Sequence, residues 1–237
     1  MKGLASRPVP ETYRGVWQRS LLQTDSLTDT SSSVFWLQTA CWHADIRIPS
    51  GRPDFSGVQS LNQCSSAQLH WLAQQQGFAG ITLVDIDVSP AICRWQRLVD
   101  FQPPSLVPDA GSMQFEAGTL VEKGVHADYL EHWHLLPDSS EGFAVFRKPE
   151  RQDQANPAPH YQMHAGRYVM EVRSRPASGP FALSPESDLA SLLDFEISFG
   201  VRSSSGWRIT HSTLPWLEGC VRTLPDAVAD DEWEMLA

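Results

Sequence analysis

Lysine is scarce in this chain: three residues (Lys2, Lys123, Lys148) among 237, beside fifteen arginines. No run of basic residues occurs, and 18 Lys+Arg stand against 28 Asp+Glu, a formal charge of −10. A protein that tracks phosphates needs a basic stripe, so nucleic acid is excluded as a partner. The same shortage excludes docking on an anionic membrane. Nowhere does the sequence hold the roughly 18 consecutive apolar residues of a membrane-spanning helix. After Met1-Lys2, the residues Arg7, Pro8, Pro10 and Glu11 arrive before any apolar stretch of a secretory leader can develop. The four cysteines (Cys41, Cys64, Cys93, Cys220) lie far apart and form no CxxC. They read as reduced, buried thiols, and the chain as a soluble cytoplasmic protein. Also lacking are GxSxG, a P-loop, a GxGxxG after a strand, and HExxH. No cofactor and no metal is expected, and whether the protein is an enzyme stays open.

What is present is aromatic and periodic. Nine tryptophans and an apolar fraction of 41% supply a core. The period is mostly two: Tyr13–Leu22, Val34–Trp42, His43–Ile48, Phe78–Val88, Ile92–Phe101 and Met113–Glu116 read as strands. So do Thr119–Glu122, Tyr129–Leu136, Gly142–Arg147, Arg167–Arg173, Phe195–Arg202 and Trp207–Ser212. Val88-Ser89-Pro90-Ala91 is short enough for a hairpin link. Two segments look helical. Ser65-Ser66-Ala67-Gln68 resembles a capping box opening a helix to Gln76, with Gly77 as its stop. Ser184-Pro185-Glu186 offers an N-cap, a proline and a first-turn acid ahead of Leu189, Leu192 and Leu193. Some twelve strands with two short helices predict an all-β sandwich or barrel.

The Pro-rich stretch Pro103–Pro108 is the candidate boundary between an N-terminal lobe (1–105) and a C-terminal lobe (106–225). An acidic tail follows (226–237), in which Trp233 can dock. A faint echo relates Gly15-Val16-Trp17, Asp45–Pro49 and Gly77-Phe78-Ala79 to Gly118-Thr119-Leu120, Tyr129–Pro137 and Gly142-Phe143-Ala144. It would make two related lobes meeting near residues 103–110.

Gly15-Val16-Trp17 resembles the GxW signature of lipocalins. Phe35-Trp36-Leu37-Gln38-Thr39, Asp45-Ile46-Arg47-Ile48-Pro49 and Tyr129-Leu130-Glu131-His132-Trp133 extend the resemblance over roughly residues 13–150. In order and spacing they look like uncharacterised lipocalin-like (calycin-type) proteins that include the fungal Hri-type proteins and bacterial relatives. The resemblance implies an antiparallel β-barrel fold with two barrel lobes; the helix Ser65–Gln76 is expected to cover a barrel mouth. It also implies a basic residue above Trp17, for which Arg208 is the candidate. It implies no activity.

Three strand faces carry chemistry. His43, Asp45 and Arg47 share one face of a strand whose other face is Ala44, Ile46 and Ile48. That polar face is either the solvated side of a sheet or the lining of a lumen. In a lumen, Asp45 and Arg47 must pair or hold a polar ligand, since an unpaired buried charge is costly. Tyr129, Glu131 and Trp133 share a second face with Leu135. A carboxylate against an indole wall has a raised pKa and suits general acid/base work or a donor ligand. The plainer alternative pairs Glu131 with Arg97 or Arg147. On the opposite face, His132 and His134 lack a third metal ligand at diagnostic spacing. Trp95, Arg97 and Val99 make a third face, opposite Arg94, Gln96 and Asp100, with a cation–π contact between Trp95 and Arg97 in prospect. Cys93 with His43 or His126 is a weak candidate for a thiol nucleophile and base.

Three functions remain from these faces. The first is a binding protein for a small amphipathic or aromatic ligand resting on Trp36, Trp95 and Trp133, with Asp45, Arg47, Arg97, Tyr129 or Glu131 at its polar end. The second is a small-molecule enzyme with Glu131 as general acid/base and Arg47 stabilising an anion. The third is a protein-interaction module with filled barrels. The oligomeric state is not written in the sequence.

Overall fold

Along Trp42–Ile48 apolar and polar side chains alternate, and both sets are buried. Ala44 and Ile46 are inaccessible, and so are His43 and, at 2% exposure, Asp45. A strand buried on both faces lies between two interiors, and that position organises the molecule. The computed structural model of the chain describes residues 7–103, 105–149, 158–175, 189–225 and 232–237.

The first lobe contains β1 (Gly15–Gln23), β2 (Thr28–Asp29), β3 (Ser33–Gln38), β4 (Trp42–Ile48), α1 (Ser66–Leu72), β5 (Gln76–Asp85) and β6 (Ala91–Asp100). It continues with β7 (Asp109–Glu116), β8 (Thr119–Gly124) and β9 (Leu130–Leu135). Eight of these strands run antiparallel in the order β1-β3-β4-β5-β6-β7-β8-β9, and β9 pairs back onto β1 from Gln23↔Leu130 to Trp17↔Leu135. The sheet is thus a closed barrel, with β2 a short appendage on β1. Closure removes the free edges that an open sheet would present. The hairpin expected at Ser89-Pro90 is present between β5 and β6.

The second lobe contains β10 (Ala144–Arg147), β11 (His160–Ala165), β12 (Tyr168–Arg173), α2 (Leu189–Leu192), β13 (Glu196–Ser203), β14 (Gly206–Ser212), β15 (Val221–Arg222) and β16 (Glu234–Met235). Its seven strands form one antiparallel sheet in the order β15-β14-β13-β12-β11-β10-β16. Among the described residues its end strands do not pair with each other, so the second lobe is a sheet where a barrel was expected. All-β, two-lobed architecture is as the sequence predicts.

The lobes meet through the outer, apolar face of β3 and β4. Phe35, Leu37, Ala44 and Ile46 pack in one core with Met163, Met170, Phe195, Ile197 and Phe199, and Phe35 stacks on Phe199 at 4.5 Å between centroids. At Gly77 a Cβ would stand 2.4 Å from Ile197 Cδ1 and 2.5 Å from the Asp45 carbonyl oxygen, so only glycine lets the sheets approach this closely.

Several expectations are corrected here. The boundary at 105/106 falls inside the barrel: β6 pairs with β7, Trp95 opposite Asp109, and the described residues of the Pro-rich stretch lie between these two paired strands. The sheets change instead between Leu135 and Ala144. For the same reason the internal echo does not mark two lobes, because Gly118–Leu135 closes the first barrel. Helix α1 has the capping box of Ser65 and Gln68 but ends at Leu72, and Gly77 lies within β5. It lodges Trp71 and Leu72 in the core shared by the two sheets, not over the barrel mouth. The run Val34–Trp42 is broken at Thr39, whose hydroxyl accepts from the Trp42 N–H at 3.0 Å and turns the chain into β4. Strand β11 was not foreseen. Of the acidic tail, β16 pairs with β10 and Trp233 packs on His160 at 5.0 Å, so its described end is held. The helix start expected at Ser184-Pro185-Glu186 lies outside the described residues.

Candidate functional site

The pleat of each barrel strand decides what enters the lumen. Trp36 on β3 lies opposite Asp45 on β4, which lies opposite Phe78 on β5. Across the barrel, Glu122 on β8 lies directly opposite Glu131 on β9, itself opposite Leu22 on β1. These side chains line one cavity of about 250 Å³. All eight residues singled out in the sequence are in its wall: Trp36, Asp45, Arg47, Trp95, Arg97, Tyr129, Glu131 and Trp133. Leu22, Thr24, Phe78, Asp109 and Glu122 complete the lining. The polar face of β4 therefore looks into the lumen, and its apolar face looks out onto the second sheet.

The aromatic part of the wall is angular. Trp36 meets both Trp95 and Trp133 edge-on, with centroids 5.8 Å apart in each case and planes at 79° and 71°. The Trp36 indole N–H is buried without a hydrogen-bond partner among the described residues. Trp17, of the GxW motif, stacks beside Trp36 at 6.3 Å and donates its N–H to the Tyr13 carbonyl. Arg208 is on the second sheet, exposed and bonded to the Gly219 carbonyl, so it does not cover Trp17.

A register shift places the third face. Between Ala79/Val99 and Gly80/Arg97 the β5–β6 ladder skips Leu98, which is left exposed. The bulge turns Val99 outward into the inter-sheet core while Trp95 and Arg97 stay at the lumen. Asp100 consequently joins the Arg97 side, where a strict alternation put it opposite. Gly80 permits the bulge, because a Cβ there would stand 1.9 Å from the Gln96 carbonyl oxygen. The Arg97 guanidinium covers Phe78 at 3.6 Å, in place of the expected stack on Trp95.

Charges in the wall are largely paired. Glu131 Oε1 accepts from Arg19 Nη1 at 2.6 Å and from Arg47 Nη1 at 3.2 Å, and Arg47 Nε donates to Asp45 at 2.8 Å. Arg19 also reaches Asp29 at 2.8 Å. Arg97 is held by Asp109 (2.6 Å) and Asp100 (2.9 Å). Glu131 is thus paired with Arg19 and Arg47, not with Arg97 or Arg147, and Arg147 reaches Glu234. The Glu131–Arg47 couple considered as acid/base and anion stabiliser is bonded to itself.

Glu122 differs. Its Oε1 accepts from the Tyr129 hydroxyl at 2.7 Å and its Oε2 from the Trp133 indole N–H at 3.0 Å, and it has no ion-pair partner among the described residues. Burial, and then the negative charge of Glu131 across the strand pair, push its pKa up to about 8. The carboxyl beside an indole wall, expected at Glu131, is therefore Glu122 one strand away. Gly111 leaves room for it, since a Cβ there would lie 2.7 Å from Glu122 Cγ. Burial also pushes Asp45 up, against the pull of Arg47.

His43 stands deeper, with Nδ1 2.9 Å from the Thr82 hydroxyl, which itself donates to Gln38 at 2.8 Å. Its Nδ1 therefore carries the proton and its Nε2 is left without a partner among the described residues. Burial, aided by the positive charge of Arg97, lowers its pKa to about 3. Burial drives the Cys93 thiol well above its ordinary value, so it holds no ready thiolate. His134 is exposed and half-buried His132 shares its outward face. No group of three His, Cys, Asp or Glu able to hold a metal occurs among the described residues. Nor does any helix among them have the length and apolarity to cross a membrane.

Of the residues missed in the sequence, Glu122 had a signal: it alternates with Leu120, both inward. Arg19 had one too, two residues from Trp17 on β1. Asp109 had none, because it follows the Pro-rich loop with no strand pattern before it.

Scans against protein-family models and against curated proteins find no match. Among solved structures, the chain is similar to an uncharacterized protein of Saccharomyces cerevisiae, YLR301w. The TM-score is 0.59 and the identity 11%, over 94% of this chain and 98% of that one. At that identity the likeness is one of fold: the yeast protein and this chain share a two-lobed β architecture.

Proposed function

We propose that the protein is a lipocalin-like binding protein that carries a small amphipathic or aromatic ligand in the lumen of its barrel. The observation that carries this is the cavity of about 250 Å³ bounded by Trp36, Trp95 and Trp133 on one side and by carboxylates and arginines on the other. Ligand sites combine such apolar walls with a few convergent polar groups, and the volume suits a small molecule. An open lumen argues against a filled-barrel interaction module for this lobe. The bonding of Glu131 to Arg19 and Arg47 argues against an enzyme that uses it as acid/base. The four cysteines are unpaired, which supports a cytoplasmic location, although only Cys93 is buried as expected, Cys41 and Cys64 being half-buried and Cys220 exposed.

Protein purified without denaturation is expected to retain a small molecule in native mass spectrometry. Once that molecule is removed, small aromatic compounds are expected to quench the tryptophan fluorescence saturably, with one site per chain. Replacing Trp133 by Leu should weaken the binding about tenfold or more, as loss of a buried aromatic contact does. Linear, unsaturable quenching would sink the proposal.

A further inference from the structure

The lining of the lumen has a sign as well as a shape. Four carboxyl groups, Asp45, Asp109, Glu122 and Glu131, face two guanidinium groups, Arg47 and Arg97. Both arginines are committed: Arg47 to Asp45 and Glu131, Arg97 to Asp109 and Asp100. No lining cation is left over to meet an anionic ligand. Conversely, Glu122 is bonded only by neutral groups, the Tyr129 hydroxyl and the Trp133 N–H, so when it ionises its carboxylate has no counter-ion among the described residues. Beside it stands an indole wall whose π faces attract cations. The unpartnered Trp36 N–H adds a donor with nothing to bond.

We propose that the occupant of the lumen is a small organic monocation, an amine on an aromatic or heteroaromatic ring, with its ammonium at Glu122 and its ring against Trp36, Trp95 and Trp133. This deepens the binding function proposed above and rests on it. Without ligand, the excess negative charge is relieved by a proton on Glu122. The groups facing that carboxyl are Glu131, Tyr129 and Trp133 on or beside β9, Asp109 on β7, Cys93 on β6 and Arg47 on β4. Four of the five ionisable ones (Glu131, Asp109, the Cys93 thiol and the Tyr129 phenol) carry negative charge or none, and only Arg47 is cationic, so the proton is retained to about neutral pH. An incoming ammonium displaces it: the Glu122 O–H bond breaks, the proton passes to the solvent buffer, and the ammonium keeps its own protons and takes the carboxylate as acceptor. Ligand uptake is then a cation-for-proton exchange that leaves the charge of the lumen unchanged.

Three probes of one size separate the sources of affinity: phenethylamine, phenethyl alcohol and phenylacetate. They are titrated calorimetrically near neutral pH in two buffers of different ionisation enthalpy. Phenethylamine is expected to bind at least about tenfold tighter than the alcohol, with phenylacetate the weakest, and only the amine should release close to one proton. Glu122→Gln should bring the amine down to the level of the alcohol and abolish the proton release. Its melting curve near neutral pH should match wild type, because glutamine imitates the protonated acid. If the alcohol binds as tightly as the amine, or phenylacetate binds best, the cation assignment is overturned while the lumen stands as a ligand site. If none of the three binds at millimolar concentration, the lumen is no site for such ligands and both proposals fall.

Discussion

Replacing Arg19 by Met is expected to destabilise the fold by about 3–5 kcal/mol, read as a lower urea midpoint at unchanged slope. Arg19 is only 8% exposed and ties Glu131 to Asp29 across β1, β9 and the β2 hairpin. Taking it away leaves Glu131, at 1% exposure, with Arg47 alone at the longer distance of 3.2 Å. A buried carboxylate that loses half its compensation costs far more than a surface pair, whose removal costs about 1 kcal/mol or less. The double variant R19M/E131Q should recover part of the loss, because the orphaned charge goes with its partner, and the coupling should be about 0.5–3 kcal/mol. Arg97→Met is the contrast. Its side chain is a third exposed, its carboxylates Asp109 and Asp100 reach solvent, and its loss should be markedly smaller.

The second large effect is a fall of stability with rising pH. Glu122 has an ordinary value of 4.5 when exposed in the unfolded chain and about 8 in the lumen. Between those values the folded protein holds a proton that the unfolded chain releases, so raising the pH favours unfolding. The contribution is fully present below 4.5 and is lost as the pH climbs through about 8. The slope approaches about 1.4 kcal/mol per pH unit while the unfolded carboxyl is ionised and the folded one is not. His43 and His164 act in the opposite sense below their ordinary 6.5, since burial lowers both to about 3 and the unfolded rings take up protons first. In the window between 6.5 and about 8 the histidine contribution has faded, and comparison with Glu122→Gln separates the part due to Glu122 from that of Asp45, which burial also pushes up. Urea midpoints of the wild type should drop across this window. Those of Glu122→Gln should drop less, with the amide oxygen accepting from Trp133 and the amide N–H donating to Tyr129. A wild-type midpoint that rises across the window would mean that Glu122 is ionised when folded.

The lumen was legible in the sequence because strand alternation is strict along β4 and β9. Asp45 with Arg47, and Glu131 with Trp133, had to share a face of their strands, which grouped the side chains without saying whether that face was enclosed or solvated. Which side was inward was not legible, because β4 carries its apolar residues outward against a second sheet. That inversion is a tertiary fact. The skipped Leu98 could not be seen either: a bulge changes the face of every residue after it, so Val99 and Asp100 went to the wrong sides. Strand β11 (His160–Ala165) escaped because His160, Gln162 and His164 are poor strand signals, yet inside the second lobe His160 and Gln162 bond to Glu171, and His164 bonds to Gln162 and Arg202. The boundary failed because proline marks loops, and a loop within a barrel looks the same as one between lobes.

One spectrum tests whether the lumen is the binding site. In a proton–nitrogen correlation spectrum the indole N–H signals, assigned by single Trp→Phe replacement, report separately on the lumen and on places away from it. Adding phenethylamine should move the signals of Trp36, whose N–H lacks a partner, and of Trp133, whose N–H is bonded to Glu122. Trp71, bonded to the Ser50 carbonyl beside α1, and Trp233, on the outside near Lys148, should stay in place. If Trp71 or Trp233 moves while Trp36 and Trp133 do not, the ligand sits elsewhere and the lumen is not the site.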